Sequence, residues 1–390
     1  MTQDYDAIVL GAGAAGLMCA ARAGQRGRRV VVLEKAEAPG KKILISGGGR
    51  CNFTNIGAGP GNYLSANPHF AKSALARYTP RDFLDLVEGY GIAWHEKTLG
   101  QLFCDGSAKQ IVAMLLAECS KGAVEVRCGE AIASVAQDGG FVVTTQTGTY
   151  RAPALVIATG GPSIPKMGAT GFAYDLARQF GLKVVEPRPA LVPLTLGGGD
   201  VLFREISGVA AAVEAAAGGA RFAEAALFTH RGLSGPAILQ VSSYWKHGAP
   251  VTIRFLPDRA ADWLLDAKRT HPRATLRTLL REALPQRLAD ILAERLALPN
   301  DLGNTTDKAL RAAGERLARW TFHPNGTEGF AKAEVTVGGI STAELSSTTM
   351  EAKRVPGLHA IGEAVDVTGW LGGYNFQWAW ASGVAAGEAL

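Results

Sequence analysis

Asp6-Ala-Ile-Val-Leu-Gly-Ala-Gly-Ala-Ala-Gly16 is the stretch of sequence that decides the fold. Its first five residues form a short, largely apolar run that is typical of a buried parallel strand. Three glycines with GxGxxG spacing follow, and the alanine-rich stretch from Leu17 to Gln25 predicts a helix. A second run, Arg29-Val-Val-Val-Leu33, predicts a strand that leads into Glu34. The sequence therefore begins with a predicted βαβ unit.

Each residue of this unit has a physical task in binding a dinucleotide. Gly11 allows a tight turn, Gly13 lets a pyrophosphate reach the backbone, and Gly16 lets the helix pack against the strands. The free N–H groups and the dipole of the helix N-terminus stabilise the phosphate charge. Glu34, about 20 residues further on, is spaced to accept hydrogen bonds from a ribose diol. The unit alone does not choose between FAD and NAD.

Three later segments favour FAD. Pro39–Asn52 stands where an NAD dehydrogenase would normally begin its next helix, and its glycines 47–49 offer N–H donors suited to a flavin edge or a phosphate. Leu155–Gly161 predicts a strand ending in Thr-Gly-Gly, which returns the chain to the sheet in two-dinucleotide flavoproteins. Gly357–Glu363 predicts a late strand ending in Gly-Glu, and this resembles the Gly-Asp that grips the ribityl chain in such proteins.

At these residues the chain resembles a bacterial flavoprotein family that includes bile-acid-dehydroxylation reductases and ribosomal-RNA dihydrouridine synthases. Four motifs spread over nearly the whole chain carry the resemblance: Lys42–Asn55 (KILISGGGRCNFTN), Leu227–Pro236 (LFTHRGLSGP), Glu334–Gly339 (EVTVGG) and Gly362–Gln377 (GEAVDVTGWLGGYNFQ). One departure lies in Gln101–Ser107, where Cys104 replaces the proline of a Phe-Pro pair that the family tends to carry.

The resemblance implies an α/β fold: a Rossmann-type FAD-binding domain of the two-dinucleotide flavoprotein type, with inserted β-barrel-like and small helical domains. The implied boundaries are 1–188 and 346–390 for the FAD-binding domain, 189–255 and 331–345 for the β domain, and 256–330 for the helical domain. Within the β domain, alanine-rich residues 209–217 have helical propensity, but Gly218-Gly219 and the family pattern favour a hairpin.

The candidate FAD-binding residues lie in six segments, and Ala131 and Ile132 are included because their stretch resembles a place where the adenine is bound by backbone. The segments comprise Gly11, Gly13, Ala14, Ala15 and Gly16; Glu34 and Lys35; Lys42, Ser46, Gly47, Gly48, Gly49, Arg50, Cys51 and Asn52; Ala131 and Ile132; Ala158, Thr159, Gly160 and Gly161; and Gly362, Glu363, Asp366, Gly372, Gly373, Tyr374, Asn375 and Phe376.

The last segment ends just before a predicted helix that runs to Leu390. Gly372 and Gly373 should aim N–H groups at the N1–C2=O edge of a flavin, which becomes negative on reduction. We therefore assign residues 373–376 to that edge. Trp370, Trp378 and Trp380 either stack on a substrate ring or belong to the core, and the core is favoured.

Catalytic residues are harder to identify. His230 is the best candidate for a group facing the flavin, although a structural hydrogen bond is the favoured role for its side chain. The seven histidines lack metal-ligand spacing, so we expect no metal site. The five scattered cysteines indicate reduced cytosolic thiols. Cys51 has no second cysteine close in sequence, so we expect no redox disulfide there.

Composition limits the possible partners. The chain has 390 residues, 47% apolar and 19% charged, which is typical of a globular protein of two or three domains. The sequence contains no run of eighteen apolar residues, the length needed to cross a membrane. Asp4 and Asp6 argue against a signal peptide, so a cytoplasmic location is expected. The net charge of +5 permits a polyanionic partner without requiring one, and the oligomeric state stays open.

The segment 256–330 contains both a leucine pattern and a basic pattern. Leucines and an isoleucine at helical spacing predict the core of a helical domain: Leu276, Leu279, Leu280, Leu284, Leu288, Ile291 and Leu292. Basic residues along the same region form either a solvated polar face, which is favoured, or an RNA-facing patch: Lys268, Arg269, Arg273, Arg277 and Arg281.

Together these features predict an FAD-dependent oxidoreductase that passes a hydride from flavin N5 to an activated C=C bond. NAD(P)H is the expected electron donor, and it would visit the flavin transiently because the chain has one dinucleotide fingerprint. The substrate is either a uridine in ribosomal RNA, which is slightly favoured, or a small enoyl or steroid-like molecule. A non-catalytic flavin-binding protein is the remaining alternative.

Overall fold

The computed structural model describes residues 2–260, 262–298 and 301–390. Its contacts divide the chain into two compact units. The first unit contains the residues up to Arg188 together with Val335–Leu390, and the second contains Pro189–Glu334.

The described residues form helices and strands that are numbered in chain order. The α-helices are α1 (Ala14–Gln25), α2 (Lys41–Ile45), α3 (Lys72–Arg77), α4 (Pro80–Gly89), α5 (Lys109–Lys121), α6 (Phe172–Gln179), α7 (Pro236–Ser242), α8 (Trp263–Thr270), α9 (Leu276–Ala283), α10 (Gln286–Leu296), α11 (Asp307–Ala318) and α12 (Tyr374–Ala389). The strands are β1 (Thr2–Asp4), β2 (Ala7–Leu10), β3 (Val30–Glu34), β4 (Asn52–Asn55), β5 (Tyr63–Leu64), β6 (Trp94–Glu96), β7 (Gln101–Cys104), β8 (Glu125–Cys128), β9 (Ile132–Gln137), β10 (Phe141–Thr145), β11 (Thr149–Ala152), β12 (Ala154–Ile157), β13 (Val184–Ala190), β14 (Leu194–Leu196), β15 (Ala210–Ala217), β16 (Ala220–Phe228), β17 (Gly232–Ser234), β18 (Val251–Phe255), β19 (Trp320–Phe322), β20 (Pro324–Thr327), β21 (Val335–Ile340), β22 (Leu358–Ala360) and β23 (Thr368–Gly369).

A five-stranded parallel sheet organises the first unit, with the order β22-β12-β2-β3-β8. The residues of β2 are completely buried, as expected for a parallel strand that is covered on both faces. Helix α1 packs against α5 and, most extensively, against α12. The predicted βαβ unit is therefore confirmed as β2-α1-β3, and β2 is the central strand of the parallel sheet.

Smaller sheets surround the parallel one. The first unit contains a four-stranded sheet of order β1-β11-β10-β9 and an antiparallel sheet of order β4-β7-β6. Two strand pairs, β23 with β5 and β13 with β21, complete the arrangement. Strand β4 of the three-stranded sheet begins at Asn52, shortly after the glycine-rich loop of residues 46–49.

The second unit is built on a seven-stranded antiparallel sheet of order β19-β18-β15-β16-β17-β14-β20. Its edge strands, β19 and β20, are separated only by His323, so the sheet curls until its edges nearly meet, as in a barrel. The hairpin prediction is confirmed, because Gly218 and Gly219 have φ angles of 55° and 86° between β15 and β16. Sheet pairing outweighs the helical propensity of alanine in this segment.

The leucine pattern of segment 256–330 is confirmed as core. All six predicted leucines are buried on or beside α9 and α10, although Ile291 is only partly buried. The second unit contains both segments that were predicted as separate β and helical domains, and residues 335–345, which were assigned to the β domain, belong to the first unit. The reason is that β21 pairs with β13, and a Cβ at Gly338 would lie 2.5 Å from the carbonyl oxygen of Glu186.

Across the described ranges, none of the helices combines the length and the apolar character needed to cross a membrane. The longest, α12, has 16 residues and is buried along most of its length.

The close contact between α1 and α12 predicts that one added methyl group lowers the stability of the protein. A Cβ at Gly383 would lie 2.7 Å from the carbonyl oxygen of Ala15 and 3.2 Å from Cβ of Met18. We expect Gly383→Ala to lower the free energy of unfolding by about 1–3 kcal/mol, because the two helices must move apart. Urea denaturation measures this. Gly89→Ala in α4 is the matched control, since its Cβ meets nothing within 4 Å, and it should be neutral or stabilising by up to about 1 kcal/mol.

A buried histidine predicts a loss of stability in mild acid. His359 on β22 is only 4% exposed, and its Nδ1 lies 3.0 Å from the carbonyl oxygen of Thr349. Burial lowers the pKa of His359, so below about pH 6.5 the unfolded chain takes up a proton that the folded protein resists. Stability should therefore fall from pH 7.5 to pH 5.5. His359→Gln should reduce that fall in urea titrations; an unchanged pH dependence would contradict the assignment.

Candidate active site

The carboxyl ends of the parallel strands bring four of the six predicted segments together. Strand β2 leads into Gly11, β3 ends at Glu34, β12 leads into Ala158, and β22 is followed closely by Gly362. Because the strands are parallel, these residues lie along one edge of the sheet. An edge of this kind is where open α/β sheets bind their ligands.

The three glycines of the fingerprint have three different environments. Gly11 has a φ of 105°, and a Cβ there would lie 2.7 Å from the carbonyl oxygen of Ala158. A Cβ at Gly16 would lie 2.0 Å from the carbonyl oxygen of Gly11. A Cβ at Gly13 would meet nothing within 4 Å. The first and third glycines are therefore needed for packing, whereas the second leaves open space above the backbone.

That open space lies at the N-terminus of α1. Gly13 is the N-cap residue, and no side chain caps the first turn of Ala14, Ala15 and Gly16. Because no side chain caps this end of the helix, their N–H groups and the positive end of the helix dipole can bind an anion. The residues present at this position fit a pyrophosphate.

Glu34 is held in place by the backbone on either side. Its carboxylate accepts hydrogen bonds from the N–H of Ala12 at 2.9 Å and from the N–H of Ala36 at 2.8 Å. The N–H groups of Gly129 and Glu130 bond to the carbonyl oxygens of Ala36 and Glu34, respectively. The loop that carries Ala131 and Ile132 therefore begins beside Glu34, as an adenosine site requires. Lys35 is exposed.

The segment after β12 forms the neighbouring part of the edge. Gly160 has a φ of 72°, and a Cβ there would lie 3.7 Å from Oε2 of Glu363. Thr159 Oγ1 is buried and has no hydrogen-bond partner among the described residues. A buried hydroxyl without a partner costs free energy, so its position beside the edge also fits a polar ligand. A Cβ at Gly161 would lie 2.7 Å from Thr336 Oγ1, so this glycine allows a close approach.

Glu363 is already engaged by protein groups. Its Oε2 accepts a hydrogen bond from Lys42 Nζ at 2.6 Å, and its Oε1 accepts from Ser163 Oγ at 2.8 Å and from Thr336 N at 3.1 Å. Lys42 also donates to Ser163 Oγ at 2.6 Å. The Glu363 side chain is 18% exposed, so the ion pair with Lys42 lies partly out of water. Sequence reasoning placed both residues in the site but did not predict their mutual contact.

The glycine-rich loop is a 3-10 turn over Ser46–Gly49 with left-handed backbone. Gly47, Gly48 and Gly49 have φ angles of 56°, 68° and 87°, so larger residues would be strained at all three positions. A Cβ at Gly48 would lie in open space, whereas one at Gly47 would lie 2.7 Å from the Phe103 ring. The loop thus presents backbone to solvent while its first glycine packs on the next sheet. Arg50 follows and is exposed.

Cys51 has a cysteine neighbour in the structure that is distant from it in sequence. Cys104 N donates to the carbonyl oxygen of Arg50 at 3.0 Å, which places the two cysteines close together where β4 and β7 pair. Both are completely buried. Burial raises the pKa of Cys51 to about 12 and that of Cys104 to about 11, so both remain thiols at neutral pH. Their separation along the chain hid the contact from the sequence pattern.

The closing motif has the predicted shape, with α12 starting directly after Gly372 and Gly373. No side chain caps its first turn. Asn52 can orient its amide to donate to Leu102 O and Thr54 O and to accept from Gly373 N at 3.2 Å. The start of α12 and the segment after the glycine-rich loop are therefore in contact.

The side chains of this motif are mainly structural. Asn375 binds Gly369 through both its oxygen and its nitrogen, and Tyr374 accepts from Tyr63 OH through its carbonyl oxygen. The Phe376 ring stacks on Trp380 at 5.6 Å.

Three other predicted residues belong to the core. Asp366 is 3% exposed and accepts a hydrogen bond from the N–H of Ala66, and burial raises its pKa. Trp378 and Trp380 are buried and donate to the carbonyl oxygens of Gly362 and Phe53, respectively. The favoured core role of these two tryptophans is confirmed.

His230 lies in the second unit, in the turn between β16 and β17. Its carbonyl oxygen accepts a hydrogen bond from Arg204 Nε at 2.7 Å. The role of its imidazole toward a flavin stays a prediction.

Four of the five basic residues in the helical segment have carboxylate partners. Arg281 binds Asp290 through two nitrogens at 2.7 and 2.9 Å, and Arg277 lies 3.9 Å from the same carboxylate. The other two pairs are Lys268–Asp307 at 2.9 Å and Arg269–Asp266 at 3.0 Å. These pairs favour a solvated polar face, the preferred interpretation, over a strongly basic patch.

Two residues near the site, Phe103 and His95, were not predicted. Strand pairing aligns Asn52, Phe103 and His95 across β4, β7 and β6, and His95 Nδ1 lies 2.6 Å from Asp105 Oδ1. No short-range motif marks this group, because it is assembled from three strands. Among the described residues, no three His, Cys, Asp or Glu side chains lie close enough together to hold a metal ion.

Comparisons with known proteins agree with this geometry. Residues 5–389 match the family model described as the HI0933-like protein Rossmann domain. The chain is 53% identical to a ribosomal RNA dihydrouridine synthase of Escherichia coli (strain K12) over 99% of the chain and 98% of the relative. It is 30% identical to a 3-dehydro-bile acid delta(4,6)-reductase of Clostridium scindens over 98% of both chains.

Among solved structures, the chain is similar to the Sdh1 complex of Mycobacterium smegmatis in its apo form. The match has a TM-score of 0.51 at 18% identity and covers 99% of this chain and 68% of the other. This supports the fold alone. The matches along the full sequence confirm the predicted Rossmann-type fold and the predicted enzyme class of flavoprotein oxidoreductases. The chain belongs to the HI0933-like Rossmann family.

Proposed function

We propose that the protein is an FAD-dependent reductase that saturates the C5=C6 bond of a uridine in ribosomal RNA. The observation that carries the substrate is the 53% identity to a ribosomal RNA dihydrouridine synthase along practically the full length of both chains. When bound, FAD would supply the hydride. The protein's own residues would bind the cofactor, orient the substrate and exclude water.

The carboxyl edge of the parallel sheet supports FAD as the cofactor. The uncapped N-terminus of α1 above Gly13 would bind the pyrophosphate, and Glu34 beside the 129–132 loop would bind the adenosine. Thr159 and the Lys42–Glu363 pair lie further along the edge, where the ribityl chain would run. The uncapped start of α12 would face the flavin ring.

NAD(P)H is the electron donor in this proposal. The sequence contains one dinucleotide fingerprint, so the donor would reach the flavin and leave again rather than occupy a Rossmann domain of its own. Work on ribosomal RNA would place the protein in the cytoplasm.

The second candidate is a reductase of a small enone or steroid-like molecule. It is supported by the 30% identity to the 3-dehydro-bile acid delta(4,6)-reductase, which also extends over nearly the full chain. The higher identity to the ribosomal RNA enzyme favours RNA. The basic helical segment adds little to that choice, because its cations are largely paired. A non-catalytic flavin-binding protein is disfavoured because both relatives are named as enzymes.

The open space above Gly13 predicts a variant that folds without its cofactor. In Gly13→Asp the new Cβ meets no protein atom within 4 Å, and the carboxylate can cap α1, which stabilises the helix by a few tenths of a kcal/mol. Its charge would occupy the phosphate position and lower FAD affinity about 100-fold or more. Fluorescence titration of the apoprotein measures the affinity, and thermal unfolding checks the fold.

Gly89→Asp is the matched control, since Gly89 is equally open but lies at the end of α4. It should bind FAD as the wild type does. Normal FAD affinity of Gly13→Asp would refute the pyrophosphate position.

Dihydrouridine itself provides the test of the substrate. Deleting the gene should remove one dihydrouridine from ribosomal RNA, as measured by mass spectrometry of nuclease digests. The purified holoprotein with NADH or NADPH should restore it in RNA from the deletion strain. Unchanged dihydrouridine in the deletion strain, together with reduction of a steroid enone by the purified protein, would favour the second candidate instead.

A further inference from the structure

We propose that His95, oriented by Asp105, is the acid that gives the substrate its proton. The proposal rests on the proposed function, because it assigns the second half of that reaction. Saturating a C=C bond requires a hydride on one carbon and a proton on the other. The sequence pattern offered one candidate for a catalytic group, His230, which lies in the second unit.

The position of His95 follows from the register of the three-stranded sheet. Phe103 on β7 pairs with Asn52 on β4 on one side and with His95 on β6 on the other. Residues opposite each other in antiparallel strands project from the same face. Gln101, two residues before Phe103, shares that face.

This face is turned toward the predicted flavin loops. A Cβ at Gly47 would lie 2.7 Å from the Phe103 ring, and one at Gly372 would lie 2.9 Å from side-chain carbons of Gln101. The amide of Asn52 reaches the N–H of Gly373. The face that carries His95 therefore packs on both the glycine-rich loop and the start of α12.

The His95 side chain is fixed at one nitrogen and accessible at the other end. Nδ1 lies 2.6 Å from Asp105 Oδ1, and the imidazole stacks on the Phe103 ring with centroids 5.9 Å apart and an interplanar angle of 13°. The side chains of His95 and Asp105 are 40% and 50% exposed. With Nδ1 donating to the carboxylate, Nε2 is the nitrogen that is available to a substrate.

The charged groups around His95 have both signs. Asp105 is in direct contact, and Glu96 on the same strand accepts a hydrogen bond from the N–H of Gly100 at 3.1 Å. Lys97 Nζ lies 5.6 Å from the centroid of the Phe103 ring, on which His95 stacks.

The thiols near this sheet are poor alternatives. Cys104 alternates with Phe103 along β7 and therefore projects from the opposite face. Cys51 and Cys104 are both completely buried. Neither thiol is exposed, whereas the His95 side chain is 40% exposed.

The proposed step adds a hydride to one carbon of the double bond and a proton to the other. A hydride adds to C6 of the uracil ring, and the π electrons of the C5=C6 bond form a new bond from C5 to the Nε2 proton of the imidazolium. The N–H bond of His95 breaks, and its electron pair stays on Nε2. Asp105 keeps the Nδ1 proton in place, and solvent reprotonates Nε2. When bound, FAD would supply this hydride, with NAD(P)H as its source of electrons.

Four variants test this proposal: His95→Gln, His95→Ala, Asp105→Asn and the control His69→Gln at an exposed histidine of the same unit. Each holoprotein is mixed with ribosomal RNA from a strain that lacks the gene, and single-turnover dihydrouridine formation is followed. His95→Gln should slow the reaction at least 100-fold with unchanged RNA and FAD affinities. Asp105→Asn should slow it about 10-fold or more, while His69→Gln should match the wild type. Added imidazole should partly rescue His95→Ala, which a merely structural role would not allow.

A second measurement does not depend on turnover. Diethyl pyrocarbonate should modify His95 in the free protein, and saturating ribosomal RNA should slow that modification several-fold, as mapped by mass spectrometry. The modification of His69 should not change. A His95→Gln rate within twofold of the wild type, or no protection of His95 by RNA, would overturn the proposal. If the wild type forms no dihydrouridine, the proposed function fails, and the protection experiment alone decides whether His95 lies at an RNA site.

Discussion

The close approach of α1 to the parallel sheet is the constraint on which the rest of the first unit depends. Gly16 lies so near the backbone of Gly11 that even one methyl group would overlap it, and Gly11 itself abuts the carbonyl oxygen of Ala158. These contacts aim the uncapped end of α1 at the edge where β2, β3 and β12 end. Helix α12 then packs on α1 through further glycines, which places its own N-terminus at the site. Two helix ends are thus positioned by backbone contacts rather than by side chains.

That dependence on backbone explains how much of the fold could be predicted. A glycine that must turn or pack closely leaves a mark in the sequence at fixed spacing, so β2-α1-β3, the glycine-rich loop and the start of α12 were all found. The hairpin at Gly218-Gly219 was found for the same reason, although the alanines beside it favour a helix. The boundary at residue 335 was misplaced because β21 pairs with β13, a contact between distant segments that has no local signal.

The side chains of the site were predicted less well, and the reason is again physical. Glu363 carries the expected charge at the expected position, yet its carboxylate is engaged by Lys42, Ser163 and Thr336, which are far away in sequence. Asn375 appears in the right motif, but its amide closes a turn with Gly369. Identity and spacing predict where a residue lies. They do not predict which of several nearby groups its polar atoms form hydrogen bonds with.

The same distinction separates cofactor binding from substrate choice. In the proposed function, the cofactor would bind mainly to backbone N–H groups at the start of α1, in the glycine-rich loop and at the start of α12, and relatives can share these groups whatever they reduce. The face of β4, β7 and β6 instead presents side chains: an amide at Asn52, an aromatic ring at Phe103 and an acid–base pair at His95 and Asp105. Relatives named for molecules as unlike as ribosomal RNA and a bile acid must differ where side chains meet the substrate. We therefore expect that face, rather than the fingerprint, to change with the substrate.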